Sequence, residues 1–504
     1  MDAWQQVYDP FNNKILSTAV AAIPIVLLLL MIATNKVKAY WAAAIALVLT
    51  LVIAVHFFTM PAAMAAKSAT LGAVNGFWTI GWIILNVLFL YRLTVEKGLF
   101  AVFQHSLGRV TADRRLQLLL IPFCFGAFFE GAAGFGTPVA VGSAMLMGLG
   151  FSPLTSAAMA LFANTATVAF GALGAPINGL SASTGIDPIT LGKAIGIQSI
   201  PFSIIIPFYM LWIFCGWKKT WEVWPAVMVA ALSFTIPQFL ISYYSNPYIV
   251  DITSGGISMA SLALFLRVWK PAVVMTNPAM RFADNSHSDV KPPAPLEELP
   301  TGGQIFRAWL PWVILCCVLA FWATGFWKAL GNSWFNPIYH VPGLDKMILA
   351  VPPVVTKVTP QAGVFSWQIL TYSGSGVLFS GMIAGLLMGF SPIALVKRWF
   401  QTVHAVRHPL LTITLMLSLA SLTGSSGIQG TLGLAFAATG KLFPFFSAVL
   451  GWLGVAATGS DTSANVLFGG LQVVAAHQAG FSPLLMAAAN STGGCMGKII
   501  AVAS

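Results

Sequence analysis

Charge is what this 504-residue chain has least of: 8% of its residues are Asp, Glu, Lys or Arg, and only 14 of them are acidic against 25 basic. With 58% hydrophobic residues and a mean hydropathy of +0.84, it has too little polar surface to coat a water-soluble core. That excludes a soluble enzyme or carrier and points to an all-α polytopic membrane protein. Cysteine is also scarce. Cys124, Cys215, Cys316, Cys317 and Cys495 stand in apolar stretches without ligand spacing, which argues against disulfides and against a metal site. The net charge of +11 is spread over short loops rather than gathered in a patch, so no nucleic-acid partner is implied. The first fourteen residues lack the basic region and cleavage-like site of a signal peptide.

Apolar spans can be read at about 17–33, 39–58, 72–91, 153–172, 190–214, 223–243, 256–268, 306–328, 371–391, 409–441 and 484–501. Lipid leaves backbone groups no partner but each other, so these spans are expected to be helices, about a dozen in all once two interrupted stretches are added. Those stretches, 115–150 and 443–480, are apolar but broken at their centres. In the first, Glu130 is followed by Gly131, Gly134 and Gly136, and then by Thr137 and Pro138, a cap and a first-turn proline for a new half-helix. In the second, Gly459 and Ser460 precede Asp461, Thr462, Ser463 and Asn465. Each is expected to form a re-entrant helical hairpin.

The two stretches repeat one plan. Both end in GFSPL, at 150–154 and 480–484, with Glu130 20 residues before Gly150 and Asp461 19 before Gly480. Each is followed by an amide beside a hydroxyl, Asn164-Thr165 and Asn490-Ser491-Thr492. Loop lysines and arginines, among them Lys36, Lys38, Arg114, Arg115, Lys397 and Arg398, place the two copies in opposite orientations, with the N-terminus outside. The expected organisation is an N-terminal half at 1–268, a cytoplasmic linker at 269–304 and a C-terminal half at 305–504. Such inverted-topology repeats are the plan of secondary transporters, with the site between broken helices at the membrane midplane.

Only Glu130 and Asp461 read as acids inside apolar sequence. An intramembrane charge costs roughly 2.5 to 3.5 kcal/mol, which makes both candidates for coupling to a proton. The backbone N–H groups of the half-helices, with Ser460, Thr462, Ser463, Asn465, Asn164, Thr165, Asn490, Ser491 and Thr492, are candidates for holding an anionic substrate. Hydrogen bonding between helices is the plainer role for any one of them. Lys498 could balance a carboxylate or extend to the cytoplasmic surface, and its place near the end of a span favours extension. An ionised Asp461 would repel an anion, so anion uptake is expected to be tied to a cation, most simply a proton. Sodium coupling is the alternative. An intramembrane protease at Gly424-Ser425-Ser426-Gly427 is a weaker one, because no histidine is placed as its base.

Over nearly its whole length the chain resembles the bacterial lactate permease family. The resemblance is carried by GAFFEGAAGFGTPVAV at 126–141, WLGVAATGSDTSANVLF at 452–468, NSTGGCMGKII at 490–500, and Trp4-Gln5-Gln6 with Tyr8-Asp9-Pro10. It implies proton-coupled symport of lactate, usually L-lactate, with D-lactate or glycolate accepted by some members, across the inner membrane and without a cofactor beyond the proton. It also implies about one more helix after Lys498 than this chain has, so a final helix is expected to be missing.

Overall fold

A computed structural model describes residues 3–34, 36–102, 110–132, 134, 137–276, 301–322 and 324–501. The fold is all-α and polytopic. Among the described residues, ten helices are long and apolar enough to cross a membrane, or eleven if one bent pair counts as a single span. Small sheets occur only outside the spans. Ile338–His340 pairs with Val364–Ser366, and Ile348–Ala350 lies between Trp4–Gln5 and Thr359–Pro360.

Two 35-residue helical stretches, Ala62–Glu96 and Pro392–Ser426, run against each other. Their contact depends on small residues: a Cβ on Gly72 would lie 2.5 Å from the Leu417 carbonyl oxygen. The Ser68 hydroxyl donates to the Ser425 hydroxyl at 2.8 Å, and Ser418 donates to the Ala69 carbonyl at 2.7 Å. Lipid supplies no hydrophobic drive for helices to meet, so close backbone approach and hydrogen bonds do that work. At one end Arg398 pairs with Glu96 at 2.7 Å.

The first hairpin runs through Arg114–Leu118, a π-helical turn at Leu119–Phe125 around Pro122, and Gly126–Ala132, and resumes as Thr137–Gly148. Pro122 has no N–H to give to the ladder, and the wider turn absorbs that loss. Its base is pinned by fully buried Arg115, which holds Asp113 at 2.8 Å and Glu222 at 2.6 Å. The second hairpin is Phe443–Thr458 followed by Asp461–Ala479, with Gly459 in the left-handed region at φ +69°.

Several spans differ from the expected ones. The stretch at 153–172 is not one helix: Pro153–Asn164 ends beside its amide, and the chain turns by 68° into Val168–Thr184. Ala172, Leu173 and Gly174 there have φ of +44°, +56° and +72°, and only a glycine takes such a conformation without cost. The span at 409–441 is interrupted at Gly427, where a Cβ would meet the Val7 carbonyl oxygen at 2.5 Å. The short span at 256–268 is really Val250–Val268, a turn and a half longer at its start. The expected linker falls mainly on 277–300, outside the described residues.

Candidate functional site

The two hairpin acids come together with Lys498 inside the bundle, but they do not occupy equivalent turns. Glu130 lies in the last turn before its break; Asp461 lies in the first turn after its own.

Glu130 is 6% exposed, and its Oε2 accepts the Asn164 side-chain amide at 2.8 Å. Asn164 is available because its helix stops there. The opposite wall is Gly171, where a Cβ would sit 2.3 Å from Glu130 Oε1. Gly131 and Gly134 serve packing. A Cβ on Gly131 would come within 2.6 Å of the Ile252 amide nitrogen, and one on Gly134, at φ +56°, within 2.6 Å of Ala172 Cβ. Gly136 and the side chain of Thr137 lie outside the described residues. Thr165 donates to the Leu161 carbonyl of its own helix at 3.1 Å.

Asp461 is built in the same way. Its Oδ2 accepts Ser491 Oγ at 2.7 Å and Asn465 Nδ2 at 3.1 Å, while buried Oδ1 has no hydrogen-bond partner. Gly494 is the wall: a Cβ there would lie 2.3 Å from Oδ1. Ser460 caps the helix by accepting the Ser463 N–H at 3.2 Å, so Asp461 stands at the positive helix end, where a carboxylate is favoured. The network extends inward: Asn490 Nδ2 donates to Asn465 Oδ1 at 2.9 Å, and Gln472 Nε2 to Asn490 Oδ1 at 3.1 Å. Asn465 also reaches across to the first half, donating to the Pro176 carbonyl at 3.2 Å. Thr462 is buried against Gly179, whose Cβ would meet its Cγ2 at 3.3 Å. Ser463 is likewise buried. Thr492 points away, donating to Gln198 Oε1 at 2.9 Å.

Lys498 corrects the expectation of extension to the surface. It is 6% exposed, and its ammonium donates to the Gly459 carbonyl at 2.6 Å. It lies within electrostatic reach of both Glu130 and Asp461. The reason is the helix end. Pro483–Gly497 tightens into a 3-10 turn at Lys498–Ile500, which swings the side chain toward the left-handed Gly459, whose carbonyl is free of helix hydrogen bonding.

Another buried acid escaped the sequence reading. Asp251 is 1% exposed in the first turn of Val250–Val268, against the helix that carries Glu130. Thr253, Ser254, Gly255 and Gly256 make its surroundings look like a loop. The signal that could have found it is the small-residue pattern Ser254-Gly255 with Ser258, which marks a face for close helix packing.

The serines of the protease alternative are engaged in packing. Ser426 donates to the Thr423 carbonyl at 3.3 Å, and the Ser425 carbonyl accepts Gln6 Nε2 at 2.8 Å.

Comparison with known proteins adds the following. The family described as L-lactate permease matches residues 17–504. The glycolate permease GlcA of Escherichia coli (strain K12) is 42% identical over 508 residues, spanning 99% of this chain and 90% of that protein. The L-lactate permease of the same organism is 41% identical over 506 residues, with 99% and 91% covered. That of Bacillus subtilis (strain 168) is 41% identical over 523 residues, with 99% and 90% covered.

Proposed function

Because the chain belongs to the L-lactate permease family, we propose that it carries L-lactate, and with it D-lactate or glycolate, across the bacterial inner membrane together with a proton. The observation that carries the coupling is the charge balance of the site. Glu130 and Asp461 share the buried cation Lys498, so an incoming carboxylate adds a negative charge that no further cation at the site offsets among the described residues. Unpaired charge away from water is costly. A proton arriving on one of the acids restores the balance, and Lys498 with the Asn465–Ser491 amides and hydroxyls is left to receive the substrate carboxylate.

The paired hairpins support alternating access by opposed repeats, by fold-level analogy, and the loop lysines and arginines support an N-terminus on the periplasmic side. The test is uptake of radiolabelled L-lactate and glycolate into proteoliposomes. We expect accumulation with an inward proton gradient and none when the gradient is collapsed. Uptake that follows a sodium gradient at fixed pH would replace the proton by sodium. No uptake of either acid under any gradient would refute the substrate reading.

A further inference from the structure

Asp251 has no task in the mechanism above, although it is as deeply buried as the two hairpin acids. Among the described residues neither of its carboxyl oxygens has a hydrogen-bond partner. Two further polar atoms nearby are also unpartnered: Ser254 Oγ, one turn on, and Asn164 Oδ1, whose amide nitrogen holds Glu130. The helices of Asp251 and Glu130 touch backbone to backbone. A Cβ on Gly131 would lie 2.8 Å from Asp251 Cβ, and one on Gly255 2.3 Å from the Phe128 amide nitrogen.

Glu130 is the charged group that faces Asp251, and the Cys495 thiol lies within electrostatic reach of both. The other flanking helix, Trp224–Tyr244, contributes no acid or base; its tyrosines Tyr243 and Tyr244 are exposed. From 119–125 comes Cys124, which is bonded to Ser258 at 3.2 Å. The helix Gly171–Thr184 brings no ionisable side chain. A buried carboxylate without a hydrogen-bond donor, on a helix packed against the one that carries Glu130, is costly to charge while Glu130 is charged.

A cavity of about 390 Å³ reaches down from exposed Asp187 to Tyr248. Tyr248 donates to Asn178 Oδ1 at 3.3 Å and covers Gly174, whose Cβ would lie 3.0 Å from the ring. Asp251 follows three residues later, in the first turn of Val250–Val268.

We propose that Asp251 and Glu130 hold one coupling proton between them and that Asp251 loads it from this cavity past Tyr248. The inference rests on the proton-symport reading. In one orientation hydronium in the cavity gives up a proton that passes Tyr248 to an Asp251 carboxylate oxygen, leaving water behind; in the other the pair returns a proton to water. Asp251 does not touch the substrate, so it is a coupling residue and not a binding one.

The test uses full-length protein in proteoliposomes loaded with a pH-sensitive dye, comparing the unmutated chain, Asp251→Asn and Asp251→Glu. Two rates are read: gradient-driven accumulation of lactate with luminal acidification, and lactate–lactate exchange at equal pH. In Asp251→Asn, accumulation and acidification are expected to fall at least tenfold more than exchange does. Asp251→Glu should recover most of the acidification, with the pH midpoint of uptake displaced by about half a unit or more. Equal loss of exchange and accumulation in a monodisperse Asp251→Asn protein would make Asp251 a packing residue and overturn the proposal. So would unchanged coupling, or, if the asparagine variant does not fold, an Asp251→Glu pH profile that superposes on the unmutated one. Failure of the unmutated chain to couple uptake to protons would overturn the symport reading itself, and this inference with it.

Discussion

Adding one methyl group at Gly494 tests whether the Asp461 carboxylate must be held where it is. An alanine Cβ there would lie 2.3 Å from Asp461 Oδ1 and 2.9 Å from Val455 Cγ2, against an ordinary contact of 3.4 Å or more. The methyl cannot move, because Pro483–Gly497 is packed along Phe443–Thr458 and a Cβ on neighbouring Gly493 would already meet the Ala448 carbonyl oxygen at 2.3 Å. The carboxylate must therefore swing by about an ångström, giving up the 2.7 Å bond from Ser491 and the 3.1 Å bond from Asn465. Overpacking costs about 1 to 3 kcal/mol, and replacing glycine by alanine inside a helix returns about 1 kcal/mol. These steric and propensity effects together change stability by about 0 to 2 kcal/mol, to which each lost hydrogen bond adds.

Function should respond more sharply. Hydrogen bonds to a charged group are worth about 1.5 to 3 kcal/mol each, and about 1.4 kcal/mol is a factor of ten. Losing either bond predicts a drop in initial lactate uptake of about tenfold to a hundredfold at subsaturating substrate, and losing both a larger one. The assay pairs proteoliposome uptake with thermal unfolding of the purified protein. The control is Gly142→Ala, whose new Cβ would meet its neighbours at 3.9 Å and should leave uptake within about twofold. Gly494→Ala uptake equal to the control's would show that the glycine does not set the carboxylate's position.

Other expectations follow from the same contacts. Lys498→Met should lower uptake at least a hundredfold in a folded protein, because it leaves two buried acids without their cation, whereas exposed Lys397→Met should transport normally; equal rates would reduce Lys498 to a space filler. Gly459→Ala, at φ +69°, should lower stability by about 1 kcal/mol, with Gly459→Asn recovering part of it, as thermal unfolding would show. In the loop at 331–368, His340 contacts Asp345 at 2.8 Å and, with the Gly363 N–H, holds its carboxyl below the ordinary aspartate range. A depressed carboxyl stabilises the loop in full above its unfolded pKa, about 3.9, and loses that contribution as pH falls through the lower folded value. Proteolytic nicking of the loop should therefore rise below about pH 4 in the unmutated chain, and Asp345→Asn should lack that acid-dependent step.

The class of fold and the two hairpin breaks were legible in the residues themselves. A glycine run after Glu130 and the Gly459-Ser460-Asp461 sequence set local backbone conformation, and local conformation is what sequence states directly: Ser460 caps its helix and Gly459 takes the left-handed turn with no help from distant residues. Asn164 and Ser491 were legible as polar groups in apolar helices, one after each acid, but the sequence aimed them at a substrate and not at Glu130 and Asp461, which they hold.

What only the tertiary structure decided was which polar groups are removed from water and which face one another. Asp251 reads as a loop acid and Lys498 as a surface lysine until close helix contacts at Gly131 and Gly255, and the tightened turn after Gly497, enclose them. The glycine walls at Gly171 and Gly494 are of the same kind, since nothing in their own neighbourhood distinguishes them from the other glycines of the chain. Burial is a property of the packed whole: a residue's desolvation and its charged neighbours come from segments hundreds of positions away. The residues of the candidate site were therefore written in the sequence, while their common location and electrical balance arose only from folding.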